Sequence, residues 1–264
     1  MKVALAQMDI VWEDKEKNWE KSEKNIKEAK KKGADLILFP EMSFTGFSMN
    51  VAEIGETKEK GNSVESIRRM QSFAKKYEMA VGFGYVERDG DMGKNHYAVV
   101  DEEGKVLGDY IKIHPFSYGG EDKYYQPGEY TILFEVKGWK MAMFICYDLR
   151  FPEIFSLVSD EAEAIIVAAN WPESRREHWM ALLKARAIEN QCYVLGVNRT
   201  GMGGGISYTG DSMVVDPYGN VIGRMEKTEG MLLCEIEKRY VEEWRATFPQ
   251  KNDRKKNYAF YQTR

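Results

Sequence analysis

Three residues far apart in the chain, Glu41, Lys112 and Cys146, are of types that together do acyl chemistry. A cysteine that attacks a carbonyl needs a base to take its proton, and a carboxylate can serve. The tetrahedral intermediate then needs donors for its oxyanion, which an ammonium and a backbone N–H supply. Carboxylate, amine and thiol make that set without a histidine. Taken singly, each also has a plain structural reading: Glu41 as a helix-capping acid, Lys112 as a surface lysine, Cys146 as a small core hydrophobe. Spacing alone does not choose. What the three share is position, because each falls where an apolar run stops.

The stretch MAMFICYD (141–148) carries this pattern most plainly. A short apolar run between Gly138 and Pro152 reads as a buried strand ending at Cys146, and Pro152 suits the first turn of a following helix. A thiol so placed, near a helix N-terminus, is expected to ionise more easily than a free cysteine. ADLILFPE (34–41) is a second such strand, finishing in Pro40 and Glu41. Residues 95–100 and 105–112 form a hairpin around Glu102-Glu103-Gly104, and its second arm ends at Lys112.

The remaining elements follow from periodicity. Residues 3–8 read as a strand, and 15–32 as a charged helix with a narrow stripe of Trp19 and Ile26, stopped by Gly33. A helix over 63–77 and a strand over 79–86 complete the first half. In the second half, 152–159 and 174–190 are helices, 163–170 and 191–198 strands, and 212–223 a hairpin around Pro217-Tyr218-Gly219. The two hairpins superimpose in sequence at one constant offset. Val99, Val100, Asp101, Gly104, Val106 and Gly108 match Val214, Val215, Asp216, Gly219, Val221 and Gly223. Such a repeat is too long for a solenoid unit and fits two similar β-α-β-α-β-hairpin halves, each making one sheet. The helices are too few to cover both faces of both sheets. The architecture expected is therefore a four-layer α-β-β-α sandwich of the α/β class, one domain over 1–264. A last strand (231–236), a short helix (240–246) and a basic, aromatic tail with Tyr258, Phe260 and Tyr261 follow. The tail at 252–264 is read either as a disordered end or, from its aromatics, as a contact with a partner subunit.

With 264 residues, 43% hydrophobic and 30% charged, the chain reads as a soluble globular protein. A net charge of −4 speaks against a nucleic-acid surface, and no apolar run approaches the roughly 20 residues that span a bilayer. The N-terminus turns polar too early for a secretory signal. Three cysteines cannot close a disulfide set, so a cytoplasmic location is expected. Cys192 and Cys234 lie inside apolar strands and read as core. His96, His114 and His178 show no metal-ligand spacing, and neither a metal nor an organic cofactor is indicated. Gly201-Met202-Gly203-Gly204-Gly205 lacks the Lys-Ser or Lys-Thr of a phosphate loop and reads as a mobile loop.

The segments LILFPEM, DYIKIHPF and FICYDLRFPE, in this order, resemble the nitrilase superfamily of carbon–nitrogen hydrolases. The similarity runs from VALAQMD to the strand at 231–237. It implies the four-layer sandwich, a Glu–Lys–Cys triad, a small-molecule amide substrate and a homodimer or higher assembly. Carried over residue by residue, Glu41 is the general base and Cys146 the nucleophile. Lys112 stabilises the oxyanion, helped by the N–H of Tyr147. Glu121, in GGEDKYYQPG, matches a second glutamate that orients the lysine or the substrate amide; alone it reads as a loop carboxylate. CYDLRFPE, AANWP, ESRREHW and LLKARAIENQCYV are most similar to the omega-amidase branch, which acts on 2-oxoglutaramate and 2-oxosuccinamate.

Such substrates carry a remote carboxylate, so the pocket wants cations and donors. Arg150 is a candidate clamp or, equally, a brace for its loop through Glu153 or Asp148. Arg175 and Arg176 are further candidates, or solvated residues opening a helix. Asn170 and Trp171 are placed at the pocket wall with Phe116 opposite, although Trp171 also fits plain core. His114 leads into Pro115 and is read as positioning its loop. The competing functions are another amidase of the superfamily, acting on N-carbamoyl amines or deaminated glutathione, and a non-catalytic subunit that keeps the fold. A redox role for Cys146 lacks a resolving cysteine nearby.

Overall fold

The computed structural model describes residues 1–58 and 63–255. The first half supplies β1 (Lys2–Gln7), α1 (Lys15–Lys31), β2 (Leu36–Leu38), α2 (Val51–Ile54), α3 (Glu65–Tyr77), β3 (Ala80–Asp89), β4 (Met92–Val100) and β5 (Val106–Ile111). The second supplies β6 (Leu133–Val136), β7 (Trp139–Ile145), α4 (Pro152–Val158), β8 (Ala164–Ala169), α5 (Arg176–Asn190), β9 (Tyr193–Asn198), β10 (Thr200–Gly203), β11 (Ile206–Val215) and β12 (Val221–Glu226). β13 (Gly230–Glu235) and α6 (Lys238–Thr247) close the chain. The aromatic tail residues Tyr258, Phe260 and Tyr261 lie outside the described residues.

The central strands are apolar almost throughout because both of their faces are covered. β1, β2 and β3 run parallel in one sheet, and β7, β8 and β9 run parallel in the other. Between the sheets, Val3, Leu5, Leu38, Tyr97 and Val99 pack into one core with Met143, Ile165 and Leu195. Trp19, Ile26 and Ala29 of α1 and Met70 and Ala74 of α3 cover the outer face of the first sheet, against Ile37, Val81, Phe83 and Ala98. Phe155 of α4 and Trp179, Leu183 and Ala187 of α5 are buried on the second sheet. The result is the α-β-β-α sandwich. Asp14 starts α1 by accepting from Lys17 N at 3.1 Å, and Gly33 leaves it at φ +76°.

The sequence repeat is structural down to its irregularities. Val99 pairs with Gly108 in the β4–β5 hairpin and Val214 with Gly223 in β11–β12, and each ladder is broken by a bulge at the next residue. Each half makes one sheet, as expected, and the last strand, β13, pairs antiparallel with β1 at the edge of the first. Two expectations need correction. The strand expected over 34–41 pairs in regular register only at Leu36–Leu38. The glycine stretch 201–205 is no loose loop: Thr200–Gly203 and Ile206–Val215 pair as a hairpin that turns at Gly204-Gly205, both at positive φ.

Candidate active site

Glu41 is set by a turn that rides on β3. Phe39 N and Ser43 N bond to the carbonyls of Gly82 and Gly84, and Gly84 N bonds to Ser43 Oγ at 2.9 Å. A Cβ at Gly84 would stand 2.4 Å from Met42 N, so only glycine lets the turn lie this close. Met42 itself takes φ +43°, which breaks the strand geometry and directs Glu41 out of the ladder. The carboxylate then collects donors. Lys112 Nζ and Asn95 Nδ2 reach Oε1 at 2.9 and 2.8 Å, and Asn170 N reaches Oε2 at 2.9 Å. Asn170 Nδ2 also holds the Glu41 backbone carbonyl at 2.7 Å.

Lys112 follows β5 and stays pinned to β4 through its N–H, which donates to Asn95 O at 2.9 Å. Its ammonium also meets Glu121 Oε2 at 2.8 Å. Glu121 further accepts from Phe116 N at 2.6 Å and Asn95 Nδ2 at 3.1 Å. Glu41, Lys112 and Glu121 are all fully buried. Burial alone favours a neutral amine, but the Glu121 and Glu41 carboxylates outweigh it and push Lys112 well up. Burial pushes the Glu121 carboxyl up, and the Lys112 ammonium pulls it back.

Cys146 follows the last residue of β7 and takes φ +45°, a left-handed conformation disfavoured in any residue with a Cβ. The turn after it is stapled from below by Asp148. That buried carboxylate accepts from Tyr110 Oη at 2.8 Å, Ile145 N at 3.1 Å and both the N–H and the Nδ1 of His114 at 2.9 Å. His114 thus positions the loop, and its ring stacks on Phe151 at 3.8 Å. The expectation of an easily ionised thiol is overturned. Burial pushes the Cys146 thiol well above the ordinary range, the Glu41 carboxylate adds to this, and the Lys112 ammonium only partly opposes it. Burial, with two carboxylates brought from distant turns of the chain, outweighs a nearby helix end.

A pocket opens over Cys146, lined by Phe47, Phe116, Tyr147, Arg150, Asn170, Trp171, Arg175 and Tyr208 among others. Glu41, Lys112 and Glu121 do not line the pocket but are buried behind its lining, near enough to the thiol for their charges to act on it. Trp171 proves to be both core and wall, buried yet lining the pocket. Arg150 braces its loop through neither Glu153 nor Asp148. Its guanidinium lies over the Trp171 ring at 4.8 Å and meets His178 Nδ1 at 3.2 Å. Arg175 lies over Phe116 at 5.3 Å. Among the described residues, neither arginine pairs with a carboxylate. Arg176 is withdrawn from the candidates, because it grips Asp211 with Nε and Nη2 at 2.7 and 2.9 Å. Phe47, Tyr208 and Asn95 escaped the sequence reading. Asn95 left one signal, a polar residue in register with the inward-facing Tyr97 and Val99 of the same strand.

The fold and this constellation define a hydrolase of carbon–nitrogen bonds. Residues 2–246 match the carbon-nitrogen hydrolase family, to which the chain belongs. It is 34% identical to the 2-oxoglutaramate amidase of Bacillus subtilis (strain 168), over 97% of this chain and 98% of that protein. It is 32% identical to the omega-amidase YafV of Escherichia coli (strain K12), covering 96% of both. Among solved structures, a CN-hydrolase superfamily protein from Xanthomonas campestris with an arsenic adduct in its active site superimposes with TM-score 0.88 at 28% identity, covering 100% of this chain and 99% of that one. Saccharomyces cerevisiae Nit3, of the nitrilase superfamily, gives 0.87 at 26% identity, covering 99% and 97%.

Proposed function

We propose that this protein is an omega-amidase, releasing ammonia from the terminal amide of a small 2-oxo acid such as 2-oxoglutaramate or 2-oxosuccinamate. One observation carries the reading. A pocket with Cys146 at its floor and the Glu41–Lys112–Glu121 cluster behind it also holds two guanidinium groups with no carboxylate partner among the described residues. The cluster suits the chemistry, and the arginines suit a substrate that brings its own carboxylate.

In this mechanism Cys146 attacks the amide carbon as Glu41 takes the thiol proton. Because the thiol holds its proton tightly, transfer belongs to the attack rather than preceding it. Lys112 Nζ and the N–H of Tyr147 stabilise the oxyanion. Glu41 returns the proton to the leaving nitrogen, ammonia departs, and a thioester remains on Cys146. Glu41 then deprotonates a water, which attacks the thioester and frees the carboxylic acid and the thiol. Glu121 holds Lys112 in place. A single domain over 1–264, cytoplasmic residence and homodimeric assembly belong to the same proposal. The alternatives acting on carbamoyl compounds do not call for two free arginines.

The test is ammonia release from 2-oxoglutaramate beside N-carbamoyl amines and uncharged amides. The proposal expects kcat/KM for the keto acid amide to lead by roughly 100-fold or more, the worth of a desolvated charge pair. Preferred turnover of a carbamoyl compound would remove it.

A further inference from the structure

Asn95 lies on β4 at an inward register position, between the two sheets, while its neighbour His96 turns outward to Tyr85 and Asp109. It is buried, and its Nδ2 is shared by two acids, reaching Glu41 Oε1 at 2.8 Å and Glu121 Oε1 at 3.1 Å. Lys112 Nζ meets the same two oxygens at 2.9 and 3.1 Å, and Lys112 N donates to the Asn95 carbonyl. One residue therefore touches every charged member of the cluster. Its Oδ1 is buried with no partner. An orphaned acceptor costs about 1–3 kcal/mol, yet turning the amide over would face Oδ1 toward two carboxylates. The donor orientation is thus fixed by the acids themselves.

The cluster holds two buried carboxylates and one ammonium, an excess of one negative charge. Such a pair draws in a proton, and each donor to a carboxylate opposes this. Asn95 gives one hydrogen to each acid and carries no charge of its own. We propose that Asn95 is a positioning residue for the hydrolysis, locking Glu41 to Glu121 through one hydrogen to each, so that Glu41 is aimed to accept the Cys146 proton. This rests on the reading of Glu41 as the base. The groups that bear on the pair are Lys112, the Cys146 thiol and the hydroxyl of Tyr125, which donates to Ser48 O at 2.6 Å.

The experiment compares wild type, Asn95→Ala and the near-isosteric Asn95→Asp, full-length, in kcat and KM across pH with 2-oxoglutaramate. The pH dependence of Cys146 alkylation by iodoacetamide is followed in parallel, since it needs no turnover. Losing a donor favours the protonated acids, so the acid limb of kcat/KM in Asn95→Ala moves up by about one pH unit. kcat falls roughly 10- to 100-fold, the worth of a charge-assisted hydrogen bond, while KM stays within about twofold. Asn95→Asp adds a third acid and moves the limb further. The alkylation profile shifts in the same direction. An unmoved limb in folded variants, with only thermal stability lowered, overturns the proposal. So does failure of both variants to fold, which makes the residue structural alone. Glu41→Gln separates the two readings: if it keeps near-normal turnover, the base assignment fails and not the asparagine.

Discussion

The buried cluster at the back of the site and the arginines that line the pocket are charged in opposite ways. At the back, Glu41, Lys112 and Glu121 are fully buried, and both carboxylates are already held by the one Lys112 ammonium. In the pocket, Arg150 and Arg175 rest on the faces of Trp171 and Phe116 with no carboxylate to meet them among the described residues. Burial and the neighbouring Arg175 even hold Arg150 below the ordinary guanidinium value, so this pair repels. Pre-paired charges are fixed in direction before substrate arrives, which is what a transition state needs. Unpaired charges are a standing deficit that an incoming anion relieves. On the function proposed above, chemistry would be kept at the back and recognition at the front.

Removing groups at the back of the site is the most damaging way to break this division. Cys146→Ala should abolish turnover and leave the fold standing, since a methyl replaces a thiol at a partly exposed position. Mass spectrometry should then find no acyl adduct where the wild type shows a thioester. Lys112→Ala should also abolish turnover, but not harmlessly. It strands two buried carboxylates, which costs about 3–5 kcal/mol, read as a lowered denaturant midpoint. Equal stability of the two variants would show that the cluster is not held by charge.

How far the sequence foretold this layout depends on how local each signal is. The ends of apolar runs are local, so the neighbourhoods of Glu41, Lys112 and Cys146 were legible as strand ends. The matched hairpins were legible too, even to the Val99–Gly108 and Val214–Gly223 pairs. The pairing of β13 with β1 was not, because pairing partners so far apart leave no periodic trace. Nor was the state of the thiol. A helix start next to Cys146 is written in adjacent residues, whereas the carboxylates that oppose its ionisation come from Glu41 and Glu121. Arg175 and Arg176 look alike as neighbours in sequence. Only the arrival of Asp211, held at φ +57° on β11, tells them apart.

Changes to the pocket arginines should act more gently and only on charged substrates. Arg150→Met and Arg175→Met keep much of the stacking on Trp171 and Phe116 while deleting the charge. Each should raise KM for 2-oxoglutaramate roughly 10- to 100-fold, with kcat changed far less. The same variants should leave an uncharged amide of similar size almost untouched. If both substrates suffer alike, the arginines shape the pocket instead of reading a carboxylate, and the contrast with the buried cluster disappears.

Arg176→Met is the smallest effect on turnover and sharpens the comparison most, because it changes the adjacent position with the same chemistry. Arg176 is charged, near the pocket and at the start of α5, yet its guanidinium is spent on Asp211. Asp211 keeps a second partner in Arg224 Nε at 3.2 Å, so it is not left bare when Arg176 goes. KM for the keto acid amide should therefore stay within about twofold of wild type, while stability should fall by about 1.5–3 kcal/mol, because buried Asp211 loses a two-pronged charged donor. A KM increase matching that of Arg175→Met would mean that field strength in the pocket matters and pairing does not, since the two side chains differ chiefly in whether a carboxylate already holds them.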